Sequence, residues 1–593
     1  MNKRFLITTA LEEITPTNEC LLLLGEWCKP FLKKNKFKNF NVKILPYHWN
    51  DRVKLHKDYL YLNEFYEKLL LELTCKLNEI HKTQHRTRYW RILIGPWLGS
   101  FVHVIFDRWS SIHAAINNFE LSGTYAQSLE DDSFIPKNMI NFTRLNKSAE
   151  WNYFIYSYIL KNYTAINCID YNVKYKIRKK ILNHQPQFIN RVKKNIFNFI
   201  NLIYRSFQKN DDFFYINTYL SKKNEILLSL KFFQIPIFYN DNFLYNLDAK
   251  VEKEKRQWIL QGSNANKFEA FARSIIPKQM PIIYLEGYNL LNKKVSLLSW
   301  PSRPKIIFTS SSYYLNDLFK LYSAKKTEDG SPLVIGQHGG GIGTHLFAFY
   351  EKHQLDICDA YLSWGWTDNS NHKIKSIGML SAKKISRISY TPKNKVILVA
   401  LSQSRQSFNI SSTPIATQIM DYYKDQCKFI SNLNSQIKDN LIIRLAKGQE
   451  DYEPSAERWS ASFPDVVLED GSSDINKLLK KCKLCISTYN ATTFLEAFSM
   501  NIPTVMFWNP NHWELREPAK THFNELKKVG IFHESPESAA QHVNMIWRDI
   551  NSWWSSKVVK DAIFIFKNYY CYNPKNLVDK IYLQLQNEIK KIN

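Results

Sequence analysis

Residues 484–508 read LCISTYNATTFLEAFSMNIPTVMFW, and this stretch decides the predicted fold. An apolar strand at 484–486 leads into a hydroxyl-rich turn. A helix follows, and its apolar face consists of Phe494, Leu495, Ala497 and Phe498. A second apolar strand at 504–507 comes after Asn501-Ile502-Pro503. Strand, turn, helix and strand in this order form one unit of a parallel α/β sheet.

The turn of this unit opens a helix N-terminus, where free backbone N–H groups and the helix dipole favour an anion. Its polar side chains can cap the helix or bind a phosphate. The residues that we predict to bind a phosphate here are Ser487, Thr488, Asn490, Thr492 and Thr493. Glu496, one turn into the helix, is predicted to accept hydrogen bonds from ribose or sugar hydroxyls. The alternative for the whole set is an ordinary helix cap followed by a solvated glutamate.

The length of 593 residues is too great for one hydrophobic core, so two or more domains are expected. The sequence contains no run of about 18 apolar residues, and no membrane-spanning helix is therefore predicted. Nine cysteines are scattered without zinc-ligand spacing. This distribution predicts reduced thiols, a cytoplasmic location and no metal site.

The formal net charge of +26 is compatible with an anionic membrane surface, an anionic substrate or nucleic acid as partner. The charge is spread along a chain rich in Lys, Asn and Ile, and it forms no compact nucleic-acid-binding motif. We therefore predict no nucleic-acid partner. An anionic membrane surface stays open as an alternative.

The strand and helix patterns predict two doubly wound, Rossmann-like α/β domains that face each other across a cleft. The N-terminal domain is predicted to span residues 1–375, with a basic helical insertion around 163–224. The C-terminal domain is predicted to span 390–570. A C-terminal helix is expected within 571–593.

Four predicted elements within the N-terminal domain can be tested individually. Apolar spacing predicts a helix at 60–80 and strands at 90–97 and 281–285. Residues 187–209 form a basic amphipathic helix candidate. This helix either contacts a membrane surface or packs on the domain with a solvated basic face.

Ligands of a parallel α/β sheet bind beyond the carboxyl ends of its strands. In the C-terminal domain, Ser402 and Arg405 follow one predicted strand, and Arg444 and Lys447 follow the next. Cations, hydroxyls and a helix N-terminus then converge on one cleft. This set suits a diphosphate or phosphodiester with its nucleoside, although Arg405 and Lys447 taken singly are also typical of surface charges.

A glycine-rich loop follows a predicted strand of the N-terminal domain and contains Gln337, His338, Gly339 and Gly340. Glycines allow a close approach of the backbone. We predict that His338 deprotonates an acceptor hydroxyl or neutralises a leaving phosphate. Glu12 and Glu13, in the loop after the first strand, are the other candidates for a catalytic base.

The C-terminal domain resembles the donor-binding domain of GT-B glycosyltransferases over residues 487–498 and 501–505. The turn at 337–339 resembles the His-Gly element of capsule sugar transferases and of teichoic acid glycerophosphotransferases. From the opening residues 8–13 onward, the chain is similar to a family of transferases found in bacterial O-antigen and surface-carbohydrate loci. The resemblance implies cytoplasmic, metal-independent and cofactor-free transfer from a nucleotide-sugar donor to a glycan or lipid-linked glycan acceptor.

The resemblance leaves the chemistry partly open. Glu496 lacks the second carboxylate found at the donor site of many retaining enzymes, so retaining and inverting transfer both stay possible. The donor base, the sugar and the acceptor are not predicted. A polyol-phosphate transferase of the same architecture is one alternative, and a non-enzymatic scaffold that binds membrane or glycan is another.

Overall fold

The computed structural model describes residues 3–14, 16, 20–29, 31, 37, 40–174, 207–239, 248–262, 266–381, 394–447 and 455–591. Within these residues the chain forms three parallel β-sheets flanked by helices. The prediction of parallel α/β sheets is confirmed. The segment predicted as one N-terminal domain contains two of the three sheets, so the sheet count is three and not two.

The first sheet has the strand order β3-β2-β1-β4-β5. Its strands are β1 (Arg4–Ile7), β2 (Leu21–Leu23), β3 (Val42–Ile44), β4 (Leu121–Ala126) and β5 (Cys168–Asp170). Its helices are α1 (Arg52–His81), α2 (Thr87–Asn118), α3 (Met139–Leu145) and α4 (Ala149–Tyr163). The strand order reverses between β1 and β4, and ligands of doubly wound sheets bind at such a switch point.

The second sheet has its strands in consecutive order, β10-β9-β8-β7-β6. They are β6 (Phe214–Tyr215), β7 (Ile307–Thr309), β8 (Leu333–Gly336), β9 (Ala360–Ser363) and β10 (Ile374–Ser376). The helices of this part are α5 (Lys222–Lys231), α6 (Lys267–Gln279), α7 (Tyr288–Ser296), α8 (Ser312–Leu315), α9 (Asp317–Glu328) and α10 (Phe349–Ile357).

The third sheet has the order β13-β12-β11-β14-β15-β16, which is the Rossmann order with a switch point between β11 and β14. Its strands are β11 (Val396–Val399), β12 (Leu441–Arg444), β13 (Val467–Glu469), β14 (Leu484–Ser487), β15 (Thr504–Phe507) and β16 (Phe532–His533). Its helices are α11 (Gln418–Ser431), α12 (Ser435–Lys438), α13 (Ser455–Ser462), α14 (Ile475–Leu479), α15 (Thr492–Ser499), α16 (Glu517–Lys528), α17 (Pro536–Ile546), α18 (Ile550–Ser555), α19 (Lys557–Tyr570) and α20 (Leu577–Lys590).

Helix α2 corrects one element of the sequence prediction. Residues 90–97, predicted as a strand with a Gly-Pro turn, lie inside this helix. Every residue at 92–105 is buried, because α2 packs against α1, α4, α9 and α10. A helix buried on all sides has no polar face, so its apolar run does not show the helical period.

Three other predicted elements have different outcomes. Residues 60–80 are helical as predicted, within α1. Residues 281–285 do not form a strand, because Ile282–Tyr284 is a short 3-10 helix. Most of the predicted amphipathic helix at 187–209 lies outside the described residues.

The C-terminal helices lead the chain back to the second sheet. The Tyr572 N–H donates to the Trp364 carbonyl over 2.9 Å, and the Met379 N–H donates to the Tyr572 carbonyl over 2.7 Å. Helix α20 then buries Leu577 and Ile581 against the second sheet. The last helix is therefore part of the core around the second sheet, although it follows the third sheet in sequence.

Candidate functional site

The second and third sheets meet where the loop after β8 touches the first turn of α15. The Gly340 N–H donates to Thr492 Oγ1 over 3.2 Å. A Cβ at Gly340 would lie 2.5 Å from the Ala491 carbonyl oxygen, so glycine is required for this approach. We call the contact of Gly340 with Ala491 and Thr492 the loop–helix junction. The predicted glycine loop and the predicted phosphate-binding turn are thus direct neighbours.

Further contacts cover the N-terminus of α15. The Asn490 side-chain amide donates to Thr344 Oγ1 over 3.0 Å. The His345 ring nitrogen Nε2 lies 3.2 Å from the Asn490 carbonyl oxygen. Protein groups therefore cover the helix tip in this conformation, and a phosphate would reach it only after the glycine loop has moved.

Three of the predicted phosphate ligands make hydrogen bonds within the third sheet and its turn. Thr488 Oγ1 lies 2.7 Å from the Tyr422 hydroxyl. Ser487 Oγ donates to the Tyr489 carbonyl over 3.2 Å, and Thr493 Oγ1 lies 3.1 Å from the Tyr489 hydroxyl. These hydroxyls fix the turn that follows β14.

His338 lies in the loop after β8, with the rings of Tyr219 and Tyr313 about 6 Å away. Its Nδ1 atom is buried and has no hydrogen-bond partner among the described residues. Burial lowers the pKa of His338 to about 4, and the Ser310 backbone only partly opposes this effect. The imidazole is therefore neutral at pH 7, which is the form that can accept a proton.

Gln337 holds this loop in shape. Its Nε2 donates to the Gly339 carbonyl over 2.8 Å. Its Oε1 accepts from the Trp364 N–H over 2.9 Å and from Trp366 Nε1 over 2.8 Å. A buried side chain with satisfied hydrogen bonds on both ends fixes the backbone that carries His338.

A cavity of about 260 Å³ lies between the loop after β2 and the elements around β11. Its charged and aromatic lining residues are Glu26, Trp27, Lys29, Phe31, Arg405 and Arg458. We call it the arginine cavity. Arg405 follows β11, one of the two strands at the switch point of the third sheet. The cavity thus combines cations and an indole ring at the place where doubly wound sheets bind ligands.

Buried oxygens without partners occur in the same strand-end loops. Thr8 and Thr9 directly follow β1, and their hydroxyls have no hydrogen-bond partner among the described residues. The same holds for Gln406 Oε1 and Asn409 Oδ1 in the loop after β11. Unsatisfied buried polar atoms are uncommon in folded proteins, and they mark these two loops as places where a ligand or water binds.

A second cavity, of about 400 Å³, opens beyond the carboxyl ends of β6 and β7. Its aromatic lining residues are Tyr215, Tyr219, Phe238 and Tyr239, and we call it the tyrosine cavity. The buried Tyr215 hydroxyl has no hydrogen-bond partner in the described part of the chain. Tyr219, on the rim, also faces His338. The cavity therefore lies next to the neutral imidazole.

Asp107 and Arg108 are buried charges that sequence reasoning missed. Arg108 donates from Nε to Asn152 Oδ1 over 2.7 Å and from Nη2 to the Ser407 carbonyl over 2.8 Å, and it pairs with Asp107. Asp107 also accepts from the Tyr47 hydroxyl over 2.8 Å. The pair thus ties the first sheet to the loop after β11. The only signal in the sequence was a charged pair inside an otherwise apolar segment.

The remaining predicted residues differ in their surroundings. Arg444 forms an ion pair with Glu469 at 2.5 Å. Lys447 is exposed, whereas Ser402 and Glu496 are partly buried. Glu13 is exposed in the 3-10 helix Glu12–Ile14, and the side chain of Glu12 lies outside the described part. The site roles of these residues stay predictions.

Two features are absent from the described residues. No helix there is long and apolar enough to span a bilayer. No group of three or more His, Cys, Asp or Glu side chains in that part is arranged to hold a metal ion.

No curated protein sequence matches this chain. Among solved structures, TarM is 15% identical with a TM-score of 0.31, and the match covers 48% of this chain and 54% of TarM. A variant of the wall teichoic acid polymerase TagF is 11% identical with a TM-score of 0.31 (68% and 98% covered). MurG from Acinetobacter baumannii is 13% identical with a TM-score of 0.30 (60% and 87% covered). The chain spans about half the length of TarM. TM-scores near 0.3 are too low to support a conclusion about the function of this chain.

A family assignment rests on the sequence instead. A sequence model of the family described as "LIC12162 family transferase" matches residues 4–585, which is nearly the whole chain. This match confirms the predicted transferase family and shows an enzyme of the transferase class. The chain belongs to the LIC12162 family of transferases.

Proposed function

We propose that this transferase moves a sugar from a nucleotide-activated donor to a bacterial surface-polysaccharide or O-antigen precursor, without a metal ion. The observation that carries the proposal is the neutral His338, whose unpartnered Nδ1 lies in the loop that contacts the donor-side helix α15. A neutral base in a loop that contacts a helix tip and lies next to the tyrosine cavity suits group transfer to a hydroxyl.

The arginine cavity is our proposed donor subsite. Arg405 and Arg458 supply charge for the donor phosphates, and Trp27 supplies an aromatic surface for the base. The loops after β11 and β14 lie side by side, since the two strands pair from Val396 with Leu484 to Val399 with Ser487. Neighbouring strands are about 4.8 Å apart. We propose that a donor bound at Arg405 extends from there toward the loop–helix junction.

The proposed chemical step begins with an acceptor hydroxyl near His338. Its oxygen attacks the anomeric carbon while Nδ1 of the neutral imidazole takes the hydroxyl proton. The bond from the anomeric carbon to the donor phosphate breaks, and the electron pair leaves with the nucleotide. The arginine side chains stabilise the developing phosphate charge, which is the role that a metal ion has in other transferases.

The tyrosine cavity is our proposed acceptor subsite, because its rim residue Tyr219 faces His338. Apolar faces of sugar rings pack on aromatic side chains, and the buried Tyr215 hydroxyl lacks a partner that a sugar hydroxyl can provide. We propose that the acceptor is a glycan or lipid-linked glycan at the cytoplasmic face of an anionic membrane.

A thermal-shift panel of nucleoside mono- and diphosphates tests the donor assignment. One nucleotide of the panel should raise the melting temperature of the protein more than the others do, because a ligand that binds only the folded state stabilises it. Its base and its number of phosphates then identify the donor class. Incubation with sugar and polyol-phosphate donors of that nucleotide then separates glycosyl transfer from polyol-phosphate transfer. A panel in which no nucleotide changes the melting temperature would contradict the proposal.

A further inference from the structure

Helix α5 presents an apolar surface to solvent next to the tyrosine cavity. Ile226, Leu227 and Leu230 are exposed on this helix, and Phe233 in the following turn is 92% exposed. We call these four residues the α5 apolar face. Single exposed apolar residues are ordinary, but a contiguous group on one short helix is typical of an interaction surface.

The geometry of the helix separates this face from the core. Successive residues of an α-helix are rotated by about 100°, so Ile226, Leu227 and Leu230 share one side, and Leu228 points away from it. Leu228 is fully buried in the core around the second sheet. The helix is anchored further at its end, where Lys231 pairs with Asp579 at 2.7 Å. The outward face is therefore presented by a well-held helix.

The charges around the face select its partner. Three lysines border the face. Lys222 pairs with Glu225 and Lys231 pairs with Asp579, whereas Lys223 is exposed at the start of the helix. Lysines that border exposed apolar side chains are typical of helices that lie in the headgroup region of an anionic bilayer. A protein partner with an apolar groove would not require the lysines.

We propose that the α5 apolar face docks this enzyme on an anionic lipid bilayer. Ile226, Leu227, Leu230 and Phe233 enter the boundary between headgroups and acyl chains, and Lys223 contacts lipid phosphates. The opposite side of the same helix lines the tyrosine cavity through Glu225 and Ser229. The purpose of this docking rests on the proposed function, because it brings a lipid-anchored acceptor to that cavity.

Co-sedimentation of the full chain with vesicles tests the docking. The probes are vesicles of phosphatidylcholine mixed with phosphatidylglycerol and vesicles of phosphatidylcholine alone. The variant with Leu227→Ser, Leu230→Ser and Phe233→Asn should lower the partition coefficient on the mixed vesicles by roughly tenfold or more. Asparagine suits position 233, where φ is 54°, so this change does not strain the backbone.

A charge variant and a matched control complete the design. Lys223→Glu should lower the partition coefficient by about fivefold or more, and added salt should reduce this difference. Leu71→Ser is the control, because Leu71 on α1 is 56% exposed, as is Leu230. This control should bind the mixed vesicles like the wild type.

Four outcomes would overturn the docking proposal. The first is that the wild type does not bind the mixed vesicles, and the second is that the triple variant binds them like the wild type. The third is that the Leu71→Ser control loses binding as much as the triple variant does. The fourth is that light scattering shows a dimer for the wild type and monomers for the triple variant. The nucleotide thermal shift is measured without vesicles, so it reports on the proposed function separately. A normal nucleotide shift in the triple variant would show that the donor site is intact.

Discussion

The loop–helix junction and the arginine cavity lie beyond neighbouring strands of the third sheet, yet they differ in what fills them. At the junction, the Gly340 N–H donates a hydrogen bond to Thr492 Oγ1, and the His345 ring contacts the Asn490 carbonyl oxygen. At the arginine cavity, about 260 Å³ of space remains beside Arg405. The end of β14 is covered by the loop after β8 of the second sheet. The end of β11 borders a cavity that reaches the loop after β2 of the first sheet.

This difference implies a division of roles. The arginine cavity has open space beside Arg405, whereas the tip of α15 becomes available only when the glycine loop shifts. We therefore expect the open side to determine donor affinity and the closed side to determine turnover. Substitutions at the two sides separate these quantities.

The largest effect is expected at His338. His338→Gln removes the neutral base but keeps a polar side chain, and kcat should fall by roughly a hundredfold or more. The nucleotide-induced thermal shift should stay at the wild-type value, because the arginine cavity is unchanged. His372→Gln, at an exposed histidine, is the matched control and should keep wild-type kcat. A variant that loses nucleotide binding along with turnover would break the division of roles.

The second effect is expected at Arg405. Arg405→Ala removes a charge-assisted contact to a donor phosphate, and the Kd of the preferred nucleotide should rise by about tenfold to a hundredfold. Isothermal titration calorimetry measures this change directly. Lys428→Ala is the control, because Lys428 is an exposed cation on helix α11 that pairs with Glu537. Equal losses in both variants would show that general charge, and not the cavity, binds the nucleotide.

The third effect is structural and uses two adjacent glycines. Gly340→Ala places a Cβ 2.5 Å from the Ala491 carbonyl oxygen, and we expect a loss of about 1–3 kcal/mol in the free energy of unfolding. Gly339→Ala meets no atom within 4 Å, so its effect should be within about 0.5 kcal/mol. Chemical denaturation compares the two variants. Similar losses in both would mean that the closed junction does not form in solution.

The sequence was informative where strands are short and alternate with amphipathic helices. The unit at 484–508 was predicted with its strand, turn, helix and strand, because α15 keeps one apolar face against the sheet. The same reasoning failed for α2, because burial on every side removes the polar face on which the helical period depends. The same reasoning also assigned the first and second sheets to one domain, because no change in composition marks the boundary between them.

The candidate site shows the same limit. The sequence placed His338 in a glycine loop and Arg405 after a strand, because both positions follow from local patterns. It could not show that Gly340 touches Thr492, since that contact joins residues 152 positions apart. It also could not identify Asp107 and Arg108 as the link to the loop after β11, because their roles depend on the packing of three sheets.

The smallest effect is a pH dependence of the free energy of unfolding. It reports on the loop after β11, which borders the arginine cavity. His103 is buried in α2, and its Nδ1 accepts the Ile410 N–H of the loop after β11 over 3.1 Å. Burial lowers the pKa of His103 to about 3, from an ordinary value of 6.5. The unfolded chain therefore binds a proton below pH 6.5 that the folded chain binds only near pH 3. The free energy of unfolding should then fall as the pH drops through this window, by up to about 1.4 kcal/mol per pH unit for this one group.

Denaturation at several pH values between 7.5 and 5 measures that slope. His103→Gln keeps an oxygen that can accept the Ile410 N–H but removes the titrating group, so its slope should be shallower by about one proton. His353 is also buried, with its pKa lowered to about 3, and it leaves a residual slope in the variant. An unchanged slope in His103→Gln would mean that His103 is already hydrated in solution. The link between α2 and the loop that carries Arg405 would then depend on Arg108 and not on His103.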